Sequence, residues 1–467
     1  MPKLKLTETV LRDGQQSLAG ARMKTEEMLP ILPTLDRVGY HSAEVFGGTT
    51  FDASIRYLGE DPWHRLRTIR SNMPHTKLQM VLRGQSLVGY RNYPDDIVQY
   101  FVQKCVAGGI DILRIYDPLN DERNLEVAAR AAKREGAHVQ GAICYTTSPV
   151  HTTETYLAYA GRLLSLGVDS ICIKDMGGLL RPYEAYQLIK ALRASYPSLS
   201  IQLHTHNTAG MADMTVLKAV EVGVDVVDTA LSPFSAGASL SSTESVASAF
   251  TGTPYVPEVD MHALSQAKEY FSALRDRYIK EGKMPRSLLS VDTSVLEHQV
   301  PKGAYSNMYR ELCDFYGKDI FRRALDEIVR VRADAGYVPL VTPLAQIIGT
   351  QALYNVLDKE RYTRVTDEFK LLLSGAFGRT PAPINTDLIR ALLGENATMV
   401  TTRPADLLSP EMEDFRAAVA PYAEQEEDLL TRALFDKTAL KFFEARKNQR
   451  YRLDRRSAKS SGTHPAG

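Results

Sequence analysis

Apolar and polar residues fall into alternating short and long blocks along the first half of the chain. Eight short runs are rich in β-branched and aromatic residues: Leu4–Arg12, His41–Phe46, Lys77–Arg83, Ile112–Asp117, His138–Thr146, Ser170–Lys174, Ser200–Thr208 and Val224–Leu231. Such runs predict strands. The stretches between them are amphipathic, as in Asn124–Arg134, where apolar residues recur at helical spacing. Gly39, Gly136, Gly167 and Gly223 stand where predicted helices give way to the next strand, the usual place of a glycine C-cap. Eight strand–helix units in residues 1–255 predict an α/β fold, a (β/α)8 barrel. A doubly wound open sheet would need a phosphate-binding glycine loop after the first strand. That turn reads Asp13-Gly14-Gln15-Gln16, without GxGxxG. Beyond residue 255 long helical patterns take over, among them Met261–Glu281 and Met308–Ala335. They predict a mainly helical second domain over 256–450, interrupted at Val300-Pro301-Lys302-Gly303 and Gly378-Arg379-Thr380-Pro381-Ala382-Pro383. The small, polar stretch 451–467 is expected to be a disordered tail.

Composition narrows the function classes. The 467 residues carry 56 basic and 56 acidic side chains, so no net positive field is available to hold nucleic acid. No apolar run approaches the roughly 18–20 residues that span a bilayer, and the first residues lack the apolar stretch of a signal peptide. Cys105, Cys144, Cys172 and Cys313 form no CxxC pair and read as reduced thiols, which points to the cytoplasm.

Chemistry in a (β/α)8 barrel gathers at the C-terminal ends of the strands. The first strand leads into Leu11-Arg12-Asp13, and the seventh into His204-Thr205-His206. Side chains two apart on a strand share a face, so His204 and His206 are expected at the barrel mouth together. With Asp13 they make a plausible divalent-metal site, against the plainer reading of two hydrogen-bonded structural histidines. The sixth strand ends in Lys174-Asp175, and three readings of Lys174 stand open. It is a neutral nucleophile, an ammonium paired with Asp175, or a carbamate that adds an oxygen ligand. At the third strand end Arg83, with Tyr90 nearby, suits capture of a carboxylate, or else fixes its own loop by a salt bridge. Arg12 and Gln16 flank Asp13 and are candidates to donate to a substrate oxygen. Trp63, the only tryptophan, reads as packing beneath the second strand–helix loop.

Taken together these segments resemble the carboxyltransferase subunits of biotin-dependent enzymes. That family includes the oxaloacetate decarboxylase α chain, the pyruvate carboxylase carboxyltransferase domain and the transcarboxylase 5S subunit. The resemblance runs through Leu11-Arg12-Asp13-Gly14-Gln15-Gln16-Ser17, Phe46-Gly47-Gly48-Thr49-Thr50-Phe51-Asp52, Gly59-Glu60-Asp61-Pro62-Trp63, Leu82-Arg83-Gly84-Gln85, Ile173-Lys174-Asp175-Met176 and His204-Thr205-His206. It continues through Val338-Pro339-Leu340-Val341-Thr342-Pro343, Gly349-Thr350-Gln351 and Arg403-Pro404-Ala405-Asp406 to about residue 446. It implies that Asp13, His204, His206 and a carbamylated Lys174 hold a divalent metal, with Zn, Mn or Co as the candidates. It implies that Arg12, Gln16, Arg83 and Tyr90 bind the substrate, with Lys174, Gln16 and Arg12 at the chemistry. The implied reaction moves CO2 between carboxybiotin and pyruvate/oxaloacetate, as in an oxaloacetate decarboxylase-type carboxyltransferase. A homodimer is implied as well. No lysine is flanked by methionines, so biotin is expected on a separate carrier protein.

Three departures stand out. The family's proton-relay threonine falls near Gly237 or Ala238, leaving Ser239 as the nearest hydroxyl for that catalytic and biotin-handling role. Gly14-Gln15 replaces the common Ala-His, and Pro301-Lys302-Gly303 the common Pro-Gly-Gly. The alternatives are a metal-dependent lyase or aldol-type condensing enzyme of the same barrel superfamily, and a non-catalytic scaffold.

Overall fold

The computed structural model describes residues 3–450 and, for 304–315 and 449–450, the backbone alone. The expected tail at 451–467 and the Cys313 thiol lie outside the described portion. Eight parallel strands close into a barrel in sequence order. They are β1 Lys5–Glu8, β2 Ser42–Phe46, β3 Leu78–Arg83, β4 Ile112–Tyr116, β5 His138–Cys144, β6 Ser170–Asp175, β7 Ser200–Thr205 and β8 Val226–Thr229. All eight predicted strands are present, with helices wrapped around them.

Several strand ends differ from expectation by a residue or more, and two of the differences matter for the site. β1 stops at Glu8, not Arg12, and Val10–Gly14 coil into a single π turn. The buried Glu8 carboxylate accepts from the backbone N–H groups of Thr9, Val10 and Leu231, which draws the chain out of the ladder. The Gly14 N–H then closes the turn on the Thr9 carbonyl at 3.0 Å. β7 stops at Thr205, and Asn207 donates its N–H to the Ser239 carbonyl at 2.7 Å instead of continuing toward Thr208.

Alternation across the strands turns a polar layer inward. Gln140 donates to Gln202 at 2.8 Å, Gln202 to Thr7 at 3.0 Å, and the Thr7 and Ser42 hydroxyls meet at 2.8 Å. A buried layer of this kind holds together only when each polar group is paired.

The strand-entry face carries a device that recurs three times. Gly109-Ile110-Asp111, Gly167-Val168-Asp169 and Gly223-Val224-Asp225 precede β4, β6 and β8. Each glycine sits at positive φ and turns the chain sharply into its strand. Each aspartate then accepts, at 2.8 Å, an N–H from the first two residues of the preceding strand: Leu78, Val139 and Ile201. Each is also paired with a cation from the helix before that strand: Arg70, Lys133 and Arg193.

The boundary expected between 255 and 256 does not coincide with a break in packing. Ala263, Leu264, Phe271 and Tyr278 of the helix Met261–Lys280 belong to the barrel's own core. The final helix, Asp428–Arg450, returns to that core as well, where Trp63 donates its Nε1–H to Thr431 at 3.0 Å and stacks edge-on against Phe51. A separate apolar cluster gathers Val300, Ile328, Val331, Leu344, Ile348 and Phe369. The helix expected to start at Met308 begins at Lys302, because Pro301 supplies its N-terminal boundary. Arg403 reaches back to Asp95 at 2.6 Å, and Arg379 to Glu122 at 2.9 Å, tying the C-terminal region to the loops after β3 and β4.

Replacing Asp225 with alanine removes both its backbone and its ionic partner. We expect it to lower unfolding stability by about 1–3 kcal/mol, and Asp225→Asn by less, as read from denaturant midpoints.

Candidate metal and substrate site

Three elements converge at the barrel mouth. The π turn after β1 presents Asp13, and the end of β7 presents His204 and His206. The one ligand atom that each offers lies within 4.8 Å of the other two, and all three residues are buried. His206 Nε2 is 3.4 Å from Asp13 Oδ1, His204 Nε2 is 3.5 Å from Oδ2, and the two Nε2 atoms are 3.1 Å apart. The other nitrogen of each ring is committed. His204 Nδ1 donates to Asp228 at 2.6 Å, and His206 Nδ1 to the Ala238 carbonyl at 2.7 Å. That fixes both tautomers with the Nε2 lone pairs facing Asp13, the arrangement that metal-binding imidazoles need. Burial first, and the neighbouring Lys174 second, bring the His204 pKa down to about 4, so its ring is neutral at ordinary pH. Burial opposes the Asp13 charge, but Arg12 and the two imidazoles outweigh it and hold the carboxyl well below its usual range. Two imidazole nitrogens and one carboxylate fit a divalent cation.

Lys174 lies one strand away, paired in register with His204. Its amine is 3.1 Å from His204 Nε2. Burial and then Arg12 lower its pKa, against the pull of Glu44 and Asp13. Asp175 is not its partner. That carboxylate accepts from the N–H groups of Leu179 and Leu180 at 2.9 Å and from the Thr205 hydroxyl at 2.8 Å.

Arg12 is the most constrained of the expected substrate contacts. It is paired with Asp13 at 2.8 Å and also with Glu44, so its charge is already balanced. Gln16 stands half-buried on the short helix that follows the π turn. Arg83 donates to the Gly89 carbonyl and lies under the Tyr90 ring, 5.4 Å from its centroid, while its buried Nε–H has no hydrogen-bond partner. Gly48 makes room for it, since a Cβ there would come within 2.8 Å of the guanidinium. Tyr90 is 52% exposed and stands at the rim. Ser239 lies in the loop after β8. Its side chain is fully buried and its hydroxyl donates to the Phe234 carbonyl at 2.8 Å, a contact that folds its own loop. Ala238 meets the site through its backbone carbonyl.

Sequence reasoning missed the group that holds these parts in place. Arg114, fully buried at the centre of β4, donates to Asp228 at 3.1 Å through Nη2 and to Glu44 at 3.2 Å through Nη1. Asp228 orients His204, and Glu44 orients Arg12. Burial works against the Asp228 charge, yet Arg114 and His204 hold its pKa far below the carboxylate norm. The signal lay in single charged residues at inward positions of otherwise apolar strands: Glu44, Arg114 and Asp228.

Two family models match the chain. Residues 295–464 match the "Conserved carboxylase domain" and residues 122–270 the "HMGL-like" model. A pyruvate carboxylase subunit of Methanocaldococcus jannaschii is 51% identical over 94% of this chain and 77% of its own length. The methylmalonyl-CoA carboxyltransferase 5S subunit of Propionibacterium freudenreichii subsp. shermanii is 45% identical, over 94% of this chain and 87% of its own. Among solved structures, the carboxyl transferase domain of Rhizobium etli pyruvate carboxylase with pyruvate superposes with a TM-score of 0.89 at 32% identity, covering 95% of this chain and 77% of that one.

Asp228→Asn leaves the ligands intact but loosens the His204 tautomer, and we expect about 10–100-fold weaker metal binding in a chelator competition. Protons compete with metal for the imidazole nitrogens, and burial, which brings the His204 pKa down to about 4, keeps that nitrogen open to metal below neutrality. Metal content measured after dialysis should fall as pH is lowered, with the His204 contribution lost as pH approaches about 4.

Proposed function

The chain belongs to the family of biotin-dependent carboxyltransferases that holds the pyruvate carboxylase subunit of Methanocaldococcus jannaschii and the transcarboxylase 5S subunit, and from that premise we propose that it moves CO2 between pyruvate/oxaloacetate and a biotin carried on a separate protein. The observation that carries the reading is the Lys174 amine held against His204 beside Asp13 and His206. A neutral lysine amine takes up CO2 with loss of one proton to give a carbamate, which here completes an oxygen and nitrogen donor set for Zn, Mn or Co. The lyase alternative would have Lys174 paired with Asp175, whose oxygens are taken by Leu179, Leu180 and Thr205.

The bound metal supplies Lewis acidity, stabilising negative charge on the substrate oxygens. The rest falls to side chains. Arg83, with its unpartnered Nε–H, clamps the 2-oxo acid carboxylate. Gln16 donates to the keto oxygen as that atom gains charge. Arg12, neutralised by Glu44 and Asp13, keeps Asp13 ionised and in place. In the decarboxylating direction the bond between carbons 3 and 4 of oxaloacetate breaks. Its electron pair becomes the enolate, biotin's ureido nitrogen takes the CO2, and the proton that nitrogen gives up goes to carbon 3 to form pyruvate. Burial of the site keeps water from the enolate. Ser239 is committed to Phe234, so this reading assigns it no proton relay.

Mixing the metal-loaded protein with oxaloacetate and a biotinylated carrier should yield pyruvate at a biotin-dependent rate. Stable carrier binding without turnover would favour the scaffold reading instead. Arg83→Lys should raise KM for oxaloacetate by about 10–100-fold, the worth of a charge-assisted hydrogen bond, while Lys174→Ala should abolish turnover and weaken metal retention.

A further inference from the structure

We propose that Glu8 is a positioning residue of the candidate metal site, whose one carboxylate clamps the turn that carries Asp13 and the loop that orients His206 into a single unit. The inference deepens the proposed function and rests on its metal site.

Thr7 belongs to the inward polar layer, so alternation along β1 turns Glu8 the other way, toward the loops around the barrel. Glu8 is 1% exposed, and both of its oxygens are used. Oε1 accepts from the Thr9 N–H at 3.1 Å and the Val10 N–H at 2.9 Å, where the π turn toward Arg12 and Asp13 begins. The same oxygen accepts from the Leu231 N–H at 3.0 Å, where the chain leaves β8. Oε2 accepts from the Thr243 hydroxyl at 2.7 Å, where the chain enters the helix Thr243–Ala249. One carboxylate thus grips both ends of the loop 231–243 together with the start of the turn.

Each gripped segment holds one side of the site. The turn delivers Asp13. The loop delivers the Ala238 carbonyl, which takes the His206 Nδ1–H at 2.7 Å and so aims Nε2 at Asp13 Oδ1, 3.4 Å away. Turn and loop also touch directly, since a Cβ on Gly14 would lie 3.1 Å from the Phe234 carbonyl oxygen, tighter than an ordinary contact. Arg114 braces the site from inside the barrel through Asp228 and Glu44. Glu8 does so from outside it, through backbone.

The role asks for acceptors in place, not for charge. A glutamine there keeps one oxygen for the N–H groups, and its amide can donate to the Thr243 oxygen, whose own proton then turns to Thr229 Oγ1, 2.8 Å away. An alanine leaves the Val10 and Leu231 N–H groups without their acceptor, and turn and loop are free to part.

Titration of the metal-free full chain with Co2+ tests this, with affinity read by chelator competition and ligand geometry by the visible absorption of the bound ion. In Glu8→Ala we expect affinity about 10–100-fold below wild type and a changed absorption band, the effect of losing an outer partner of the ligands. Glu8→Gln should stay within about threefold of wild type with the band unchanged. Asp225→Ala, which loosens the barrel at its other end, controls for lost stability alone and should bind Co2+ as the wild type does. Unchanged affinity and absorption in folded Glu8→Ala, or equal losses in Glu8→Ala and either Glu8→Gln or Asp225→Ala, overturn the positioning role. If Glu8→Ala fails to fold, Thr243→Val, which cuts only the Oε2 arm, takes its place: a loss of about threefold or more supports the clamp, and wild-type affinity overturns it. Wild-type protein that takes up no Co2+ overturns the metal reading and the clamp together. The expected Co2+ pattern without pyruvate formation in the carrier assay overturns the carboxyltransferase reading alone.

Discussion

The cation at the centre of the barrel has to be neutralised, and the mouth is organised by how that is done. Arg114 is removed from water entirely, a state that costs several kcal/mol unless carboxylates accompany it. It is met by Asp228 on one side and Glu44 on the other. Neither carboxylate stops at Arg114. Asp228 fixes the ring of His204, and Glu44 fixes Arg12, which in turn pairs with Asp13. The two opposite ends of the candidate metal site are thus braced against the same buried guanidinium. Losing one carboxylate would strip Arg114 of one of its two partners and release a mouth residue at the same time.

A consequence is that rigidity and chemistry are hard to separate here. Arg12 is expected from its place in the chain to touch substrate, yet both its ionic partners are already inside the protein. Arg83 has no carboxylate beside it among the described ion pairs and lies beneath an exposed tyrosine, with its Nε–H unpartnered. Of the two arginines near the mouth, Arg12 is held by two carboxylates and Arg83 by a backbone carbonyl.

Much of this was legible in the chain. Strand positions followed from apolar patterning, because a parallel barrel strand is buried on both faces and reads as a continuous apolar run. The HxH spacing put both imidazoles on one face, and the structure has them there. What failed did so for local reasons. Leu4–Arg12 reads as one strand, but the Glu8 carboxylate competes for backbone N–H groups and coils the segment, and only that coil brings Asp13 across to the histidines. The Arg114 brace was unreadable because alternation shows that a residue points inward without naming its partner on another strand. The buried contact of Ser239 with Phe234 depends on how its loop closes, which no pattern of residue types shows. At 255 the sequence pattern changes while apolar packing on the barrel continues into the helix Met261–Lys280.

The three Gly-x-Asp turns divide labour between the barrel's two ends. Each locks a pair of neighbouring strands together at their start, using only backbone, one carboxylate and one cation, and none of these groups reaches the mouth. Three strand pairs, β3–β4, β5–β6 and β7–β8, are therefore fastened at the base. A change confined to a rim loop leaves these three ties in place.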